Sequence, residues 1–169
     1  MVVAAAGNEG RLADSFPEYP AAFDLPNVIS VAATDRSDRL VEFSNYGAES
    51  VDLAAPGDDI YSTVPSVSDS SGYAAFSGTS MAAPFVAGAA ALYLTKNPQA
   101  TVDQVRAALL ESVDPLPTLA GKTVTGGRLN IGGALGATSP STGPAKDTTP
   151  PAAFSLIRPR RTARPSRCR

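Results

Sequence analysis

The sequence predicts an α/β fold built around a mostly parallel sheet. Two kinds of segment predict it. Residues 2–6 and 28–33 are short, unbroken apolar runs, which suits strands covered on both faces. Residues 85–94 form a longer apolar run that reads as a buried helix, opening at Ser80 and stopped by Asn97-Pro98.

The elements follow in order. The first strand, Val2-Val3-Ala4-Ala5-Ala6, ends in the tight turn Gly7-Asn8-Glu9-Gly10, where Gly7 and Asn8 both tolerate left-handed backbone geometry. A loop over residues 10–27 carries three prolines and leads to the second strand. Ser44-Asn45-Tyr46-Gly47 is a turn. Val51-Asp52-Leu53-Ala54 is a short strand closed by Pro56-Gly57, and residues 60–64 read as another, followed by a polar loop over 66–72. The helix beginning at Ser80 has Pro84 near its first turn, where a missing N–H does least harm. Thr101 and Gln104 have the spacing of a capping box, and Val102, Val105, Leu109 and Val113 then recur on one amphipathic face. Gly127-Arg128-Leu129-Asn130 leads into a short turn or helix ending near Leu135. Residues 1–135 are thus the folded part. Residues 136–151 shift to Ser, Thr, Gly and Pro and read as a linker. Residues 152–169 are rich in Arg and Pro and read as a disordered tail.

Composition narrows the function. With 43% hydrophobic and 18% charged residues the chain is globular in character. No apolar stretch approaches the ~20 residues needed to span a bilayer, so no membrane role is expected. Met1 leads straight into an apolar strand without a basic stretch, so no signal peptide is read. The lone Cys168 has no partner for a disulfide or a metal site. The net charge of −2 conceals a split: residues 1–157 hold 16 acidic and 8 basic side chains, and residues 158–169 hold six arginines and no acid. Without aromatic or glycine interleaving, those arginines do not predict nucleic-acid binding. The glycine-rich stretch 126–136 lacks the lysine of a phosphate-binding loop and reads as a packed loop.

The chemistry lies in two segments. Phe76-Ser77-Gly78-Thr79-Ser80-Met81-Ala82-Ala83-Pro84 places a serine hydroxyl at the mouth of a helix N-terminus, where backbone N–H groups point outward. A hydroxyl there can act as a nucleophile whose oxyanion is met by its own N–H. The alternative is a plain helix cap. Taken with Ala4-Ala5-Ala6-Gly7-Asn8-Glu9-Gly10, the motif resembles the subtilisin-like serine proteases, or subtilases, over roughly residues 2–135. The resemblance implies an α/β three-layer sandwich with a parallel central sheet. It implies that Ser80 is the nucleophile and that Asn8 donates its side-chain amide to the oxyanion. Ala5, Ala6 and Gly7 would wall the pocket for the substrate residue before the cut bond. Glu9 would stand at the rim, where a carboxylate disfavours acidic substrate side chains. The substrate would be a protein or peptide, no cofactor would be required, and the parent protein would be extracellular.

Two departures stand out. The family mechanism needs a His to take the serine proton and an Asp to orient it, in the chain order Asp, His, Ser. This chain has no histidine. The expectation is that both partners belong upstream of Met1, that the chain is the C-terminal half of a peptidase domain, and that alone it is inactive. The alternative is a non-catalytic remnant that binds peptides or proteins. The second departure is Phe85, which stands directly after the proline where the family usually has a non-catalytic core His. Asp35, Asp38 and Glu42 follow the second strand. A structural calcium at Asp35 is one expectation there and a solvated turn the other.

Overall fold

The computed structural model describes residues 1–65 and 71–136. The linker and tail expected beyond residue 136 lie outside the described residues, as does most of the polar loop over 66–72. The elements are β1 (Val2–Ala5), β2 (Val28–Thr34), β3 (Leu53–Pro56), β4 (Ile60–Thr63), β5 (Tyr73–Phe76), α1 (Thr79–Lys96), α2 (Val102–Glu111), β6 (Asp114–Pro115), β7 (Gly127–Arg128) and α3 (Ile131–Ala134). A 3₁₀ turn covers Pro117–Leu119.

The central sheet has the order β1-β2-β3-β7-β6. The first three pairings are parallel and only β6 runs antiparallel, so the expected mostly parallel α/β architecture is present. All seven residues of β2 are buried, as an unbroken apolar run between two covered faces requires. Its alternating side chains divide the core. Ile29, Val31 and Ala33 face α1 and α2, meeting Ala82, Val86, Ala89, Val105 and Leu109. Ala32 faces the other side with Ala6, Ala13, Val51, Ala54 and Leu119. Leu53, Leu109 and Leu119 are fully buried, and each contributes about 1.5–3 kcal/mol.

α1 packs across β1, β2 and β3. Its buried stripe is Thr79, Ala82, Val86, Ala89 and Ala90. The sequence reads this helix as wholly buried, and the structure corrects that. Phe85, Leu92 and Leu94 are 38–50% exposed, because small alanines take the sheet-facing positions and leave the large side chains outside. Phe85 therefore does not occupy a core position. Pro84 falls in the second turn, where its missing N–H leaves the Ser80 carbonyl without its helical donor. β1 pairs with β2 alone among the described residues, and Val2 on it is 44% exposed.

α2 begins as expected. Gln104 N–H donates to Thr101 Oγ1, and the Gln104 side chain accepts from Thr101 N–H. Val105 and Leu109 are its buried residues, whereas Val102 is 39% exposed. Arg106 on the same helix donates to the Val28 carbonyl and to Asp52 Oδ1 at 2.6 Å, and Asp52 Oδ2 accepts from Ser30 N–H at 2.7 Å. That bridge ties α2 to β2 and to the residue preceding β3. No helix among the described residues is long and apolar enough to cross a membrane.

Candidate active site

The turn after β1 meets the start of α1, and one buried side chain joins them. Thr79 is fully buried. Its N–H donates to Asn8 Oδ1 at 2.8 Å, and its Oγ1 lies 3.0 Å from the same oxygen. Thr79 Oγ1 also accepts from Gly7 N–H at 3.2 Å. Asn8 thus spends its carbonyl oxygen on the helix start and keeps its amide Nδ2 free of any hydrogen bond among the described residues. Gly7 has φ 108°, a conformation open to glycine, and Asn45 N–H holds its carbonyl at 3.0 Å. A second close approach fixes the helix end. Gly78 N–H donates to the Gly57 carbonyl at 2.8 Å, and a Cβ on Gly57 would stand 2.6 Å from the Ala33 Cβ.

Ser80 sits one residue into the helix and is exposed. The cap position belongs to Gly78, which makes no side-chain cap bond, and Asn8 supplies the acceptor that a capping side chain would have given. Ser80 itself caps nothing. Met81 N–H and Ala82 N–H both donate to the Gly78 carbonyl, whereas Ser80 N–H and Ser80 Oγ have no partner among the described residues. The arrangement gathers a free hydroxyl, a free helix-terminal N–H and a free side-chain amide. Two such donors can meet a developing oxyanion while the hydroxyl attacks.

Ser80 also lines an open groove of ≈ 510 Å³. Its walls are β4, Phe76, Met81, Pro84 and Phe85. The groove is mostly apolar, and Tyr61 stacks on Tyr73 at 5.6 Å along the hairpin that β4 forms with β5.

On the opposite side of Asn8 lies a feature that motif reading missed. Glu9 Oε2 accepts from Asn8 N–H at 3.0 Å and from Asn45 Nδ2 at 2.9 Å. Glu18, from the proline-flanked stretch Pro17-Glu18-Tyr19-Pro20, folds back to the same spot. A Cβ on Gly7 would lie 2.9 Å from an oxygen of each carboxyl. The two groups share a hydrogen bond that raises the Glu18 carboxyl above its ordinary value and lowers Glu9, with Asn45 lowering Glu9 further. Nothing in the local pattern singles out Glu18, because its partner is nine residues away across an irregular loop. Asn45 is fully buried and organises the turn, since its Oδ1 accepts from Glu9 and Arg11 N–H and its Nδ2 also donates to the Ala6 carbonyl. Ala6 itself is buried in the core and Ala5 is half-buried on β1.

The acids after β2 are engaged elsewhere. Asp35 accepts from Ser37 and Arg39 N–H through Oδ1 and from the Arg39 guanidinium through Oδ2. Asp38 pairs with Arg128, and Glu42 is exposed. No group of three or more His, Cys, Asp or Glu side chains that could hold a metal ion occurs among the described residues.

Thermitase of Thermoactinomyces vulgaris is 46% identical over 116 residues, 69% of this chain and 37% of thermitase. Subtilisin DY of Bacillus licheniformis is 47% identical over 107 residues, 63% of this chain and 36% of that protein. A solved structure of the subtilase cytotoxin SubAB assembly superposes with a TM-score of 0.70 at 31% identity, covering 80% of this chain and 48% of that one. The chain therefore spans little more than a third of each of these two enzymes. The subtilase family model matches residues 1–142, and the chain belongs to that family of serine-type peptidases.

Proposed function

We propose that Ser80 and Asn8 are the nucleophile and an oxyanion donor of a serine endopeptidase whose general base is supplied by polypeptide outside these 169 residues. Ser80 Oγ attacks the carbonyl carbon of a peptide bond and passes its proton to that base. Ser80 N–H and Asn8 Nδ2 stabilise the oxyanion. The C–N bond breaks as the base returns the proton to the leaving amine, and water then hydrolyses the acyl-serine. No step calls on a cofactor. The observation that carries this reading is the grip of Thr79, the residue before Ser80, on Asn8 Oδ1, which leaves the donating end of the amide without a partner among the described residues.

Three further observations support an outside base. The sequence contains no histidine. Lys96, on the same helix as Ser80, has its Nζ on the Leu135 carbonyl at 2.6 Å. The edge of β1 that is unpaired among the described residues and the exposed Phe85, Leu92 and Leu94 of α1 are surfaces that more polypeptide would cover. An extracellular site of action for the parent protein belongs to the same reading.

The missing histidine also favours a second reading, a non-catalytic module that binds peptides. Reconstitution separates the two. The chain is mixed with a polypeptide that carries the Asp and His of the family mechanism, and hydrolysis of a chromogenic peptide is followed. Activity that Ser80→Ala abolishes is the expected result. A stable complex that binds peptide without cutting it would favour the second reading.

A further inference from the structure

We propose that Asn45 is a positioning residue of this site: its buried carboxamide fixes the backbone on both sides of Asn8 and so sets where the Asn8 amide points. The inference rests on the reading of Asn8 as an oxyanion donor. Asn8, Glu9 and Gly10 are exposed, and such a tip keeps one shape only if its ends are tied down. Asn45 ties both ends. Before Asn8, its N–H donates to the Gly7 carbonyl at 3.0 Å and its Nδ2 to the Ala6 carbonyl at 3.0 Å. After Asn8, its Oδ1 accepts from Glu9 N–H at 3.1 Å and from Arg11 N–H at 3.0 Å. The Asn8 N–H is reached through one intermediary, since it donates to Glu9 Oε2, which also accepts from Asn45 Nδ2.

The carboxamide is fitted to this place. Both donors of Nδ2 and both acceptor positions of Oδ1 are spent, and the residue is fully buried. A buried network with every group satisfied holds a single geometry. Asn45 Nδ2 also stands where a Cβ on Gly7 would lie, so the glycine conformation and the carboxamide against it depend on each other. Asn45 is in turn anchored to β2, because Ser44 Oγ accepts from Ala33 N–H at 2.9 Å and donates to the Asn45 carbonyl at 3.0 Å. Thr79 thus holds the Asn8 side chain from the helix, and Asn45 holds the adjoining main chain from the sheet.

The test reads the mobility of Asn8 in the isotope-labelled full chain, by NMR relaxation of its side-chain amide. In the parent chain this amide should be as ordered as rigid backbone, with an order parameter of about 0.85. In Asn45→Ala and Asn45→Ser it should fall below about 0.6. Leu109→Ala is the control. It truncates a fully buried side chain on α2 and should leave the Asn8 value unchanged at a temperature where every variant is folded. In the reconstituted enzyme the two Asn45 variants should lower kcat about 10- to 100-fold with KM little changed, the cost of a displacement of about 1 Å. A mobile Asn8 amide in the parent chain would overturn the proposal. So would an amide that stays ordered in both Asn45 variants or loosens equally in Leu109→Ala, and so would failure of both Asn45 variants to fold. A loosened Asn8 without any reconstituted hydrolysis would sink the peptidase reading alone, and hydrolysis with kcat indifferent to Asn45 would sink this one alone.

Discussion

Thr79→Val isolates the contact on which the site depends. Valine matches threonine in shape, so the fully buried position keeps its packing and opens no cavity. The variant loses one oxygen. Gly7 N–H then has no acceptor, and Asn8 Oδ1 keeps only the Thr79 N–H at 2.8 Å. Leaving a partly buried donor unpaired costs about 1–3 kcal/mol, and the weaker hold on Asn8 lets its amide turn from the oxyanion position. Thr79→Ser is the control. It keeps the hydroxyl and loses one buried methyl, worth about 0.8 kcal/mol. The expected pattern is a urea midpoint lowered more by Val than by Ser. In the reconstituted enzyme kcat should fall about tenfold for Val, short of the roughly 10²–10³-fold expected on loss of a whole donor, and little for Ser. If Val leaves both stability and kcat unchanged, or if Ser is the worse in kcat, then Thr79 does not position Asn8.

The other predictions concern neighbouring features. Asn8→Ala should lower kcat of the reconstituted enzyme by about 10²–10³ with KM little changed, and a twofold loss in a steady-state assay would remove Asn8 from the oxyanion role. Gly57→Ala would drive a methyl against Ala33 and the Gly78 carbonyl, and it should cost about 1–3 kcal/mol, read as a fall in thermal midpoint. Burial alone would raise the Asp14 carboxyl, but the Ser50 hydroxyl and the N–H groups of Ser50, Glu49 and Ala48 outweigh it and hold the group below its ordinary value of 3.8. Its stabilising effect is therefore complete above that value and disappears as pH falls through the lowered one. Asp14→Asn should be less stable than the parent chain at neutral pH and equal to it in strong acid, as urea titrations at several pH values would read.

Much of this fold was legible because its central parts are locally consistent. β2 is buried throughout and appears as an unbroken apolar run. The capping box that starts α2 has its two residues at fixed spacing. β6 and β7 were not legible, since two residues each carry no periodicity, and Asp114-Pro115 and Gly127-Arg128 have the composition of turns. The exposed outer face of α1 was hidden for another reason. Apolar composition predicts burial, but what covers a face is decided by tertiary partners. The site divides in the same way. Ser80 and Asn8 lie in contiguous motifs, and their approach follows from the resemblance. Thr79 shares the motif with Ser80, but its role depends on a contact 71 residues away in sequence. Glu18 is visible only once the loop over residues 10–27 has folded back on the turn.

On the proposed mechanism Ser80 is a nucleophile waiting for a base. A serine hydroxyl attacks poorly unless its proton is taken as the bond forms. Removal of that base from an enzyme of this kind costs about 10⁶ in kcat. Labelling with a fluorophosphonate probe, located by peptide mass mapping, measures this directly. The isolated chain should show no modification, and Ser80 alone should be modified stoichiometrically once polypeptide bearing the Asp and His is supplied. Stoichiometric labelling of Ser80 in the isolated chain, or no labelling of Ser80 in a reconstituted complex, would contradict it.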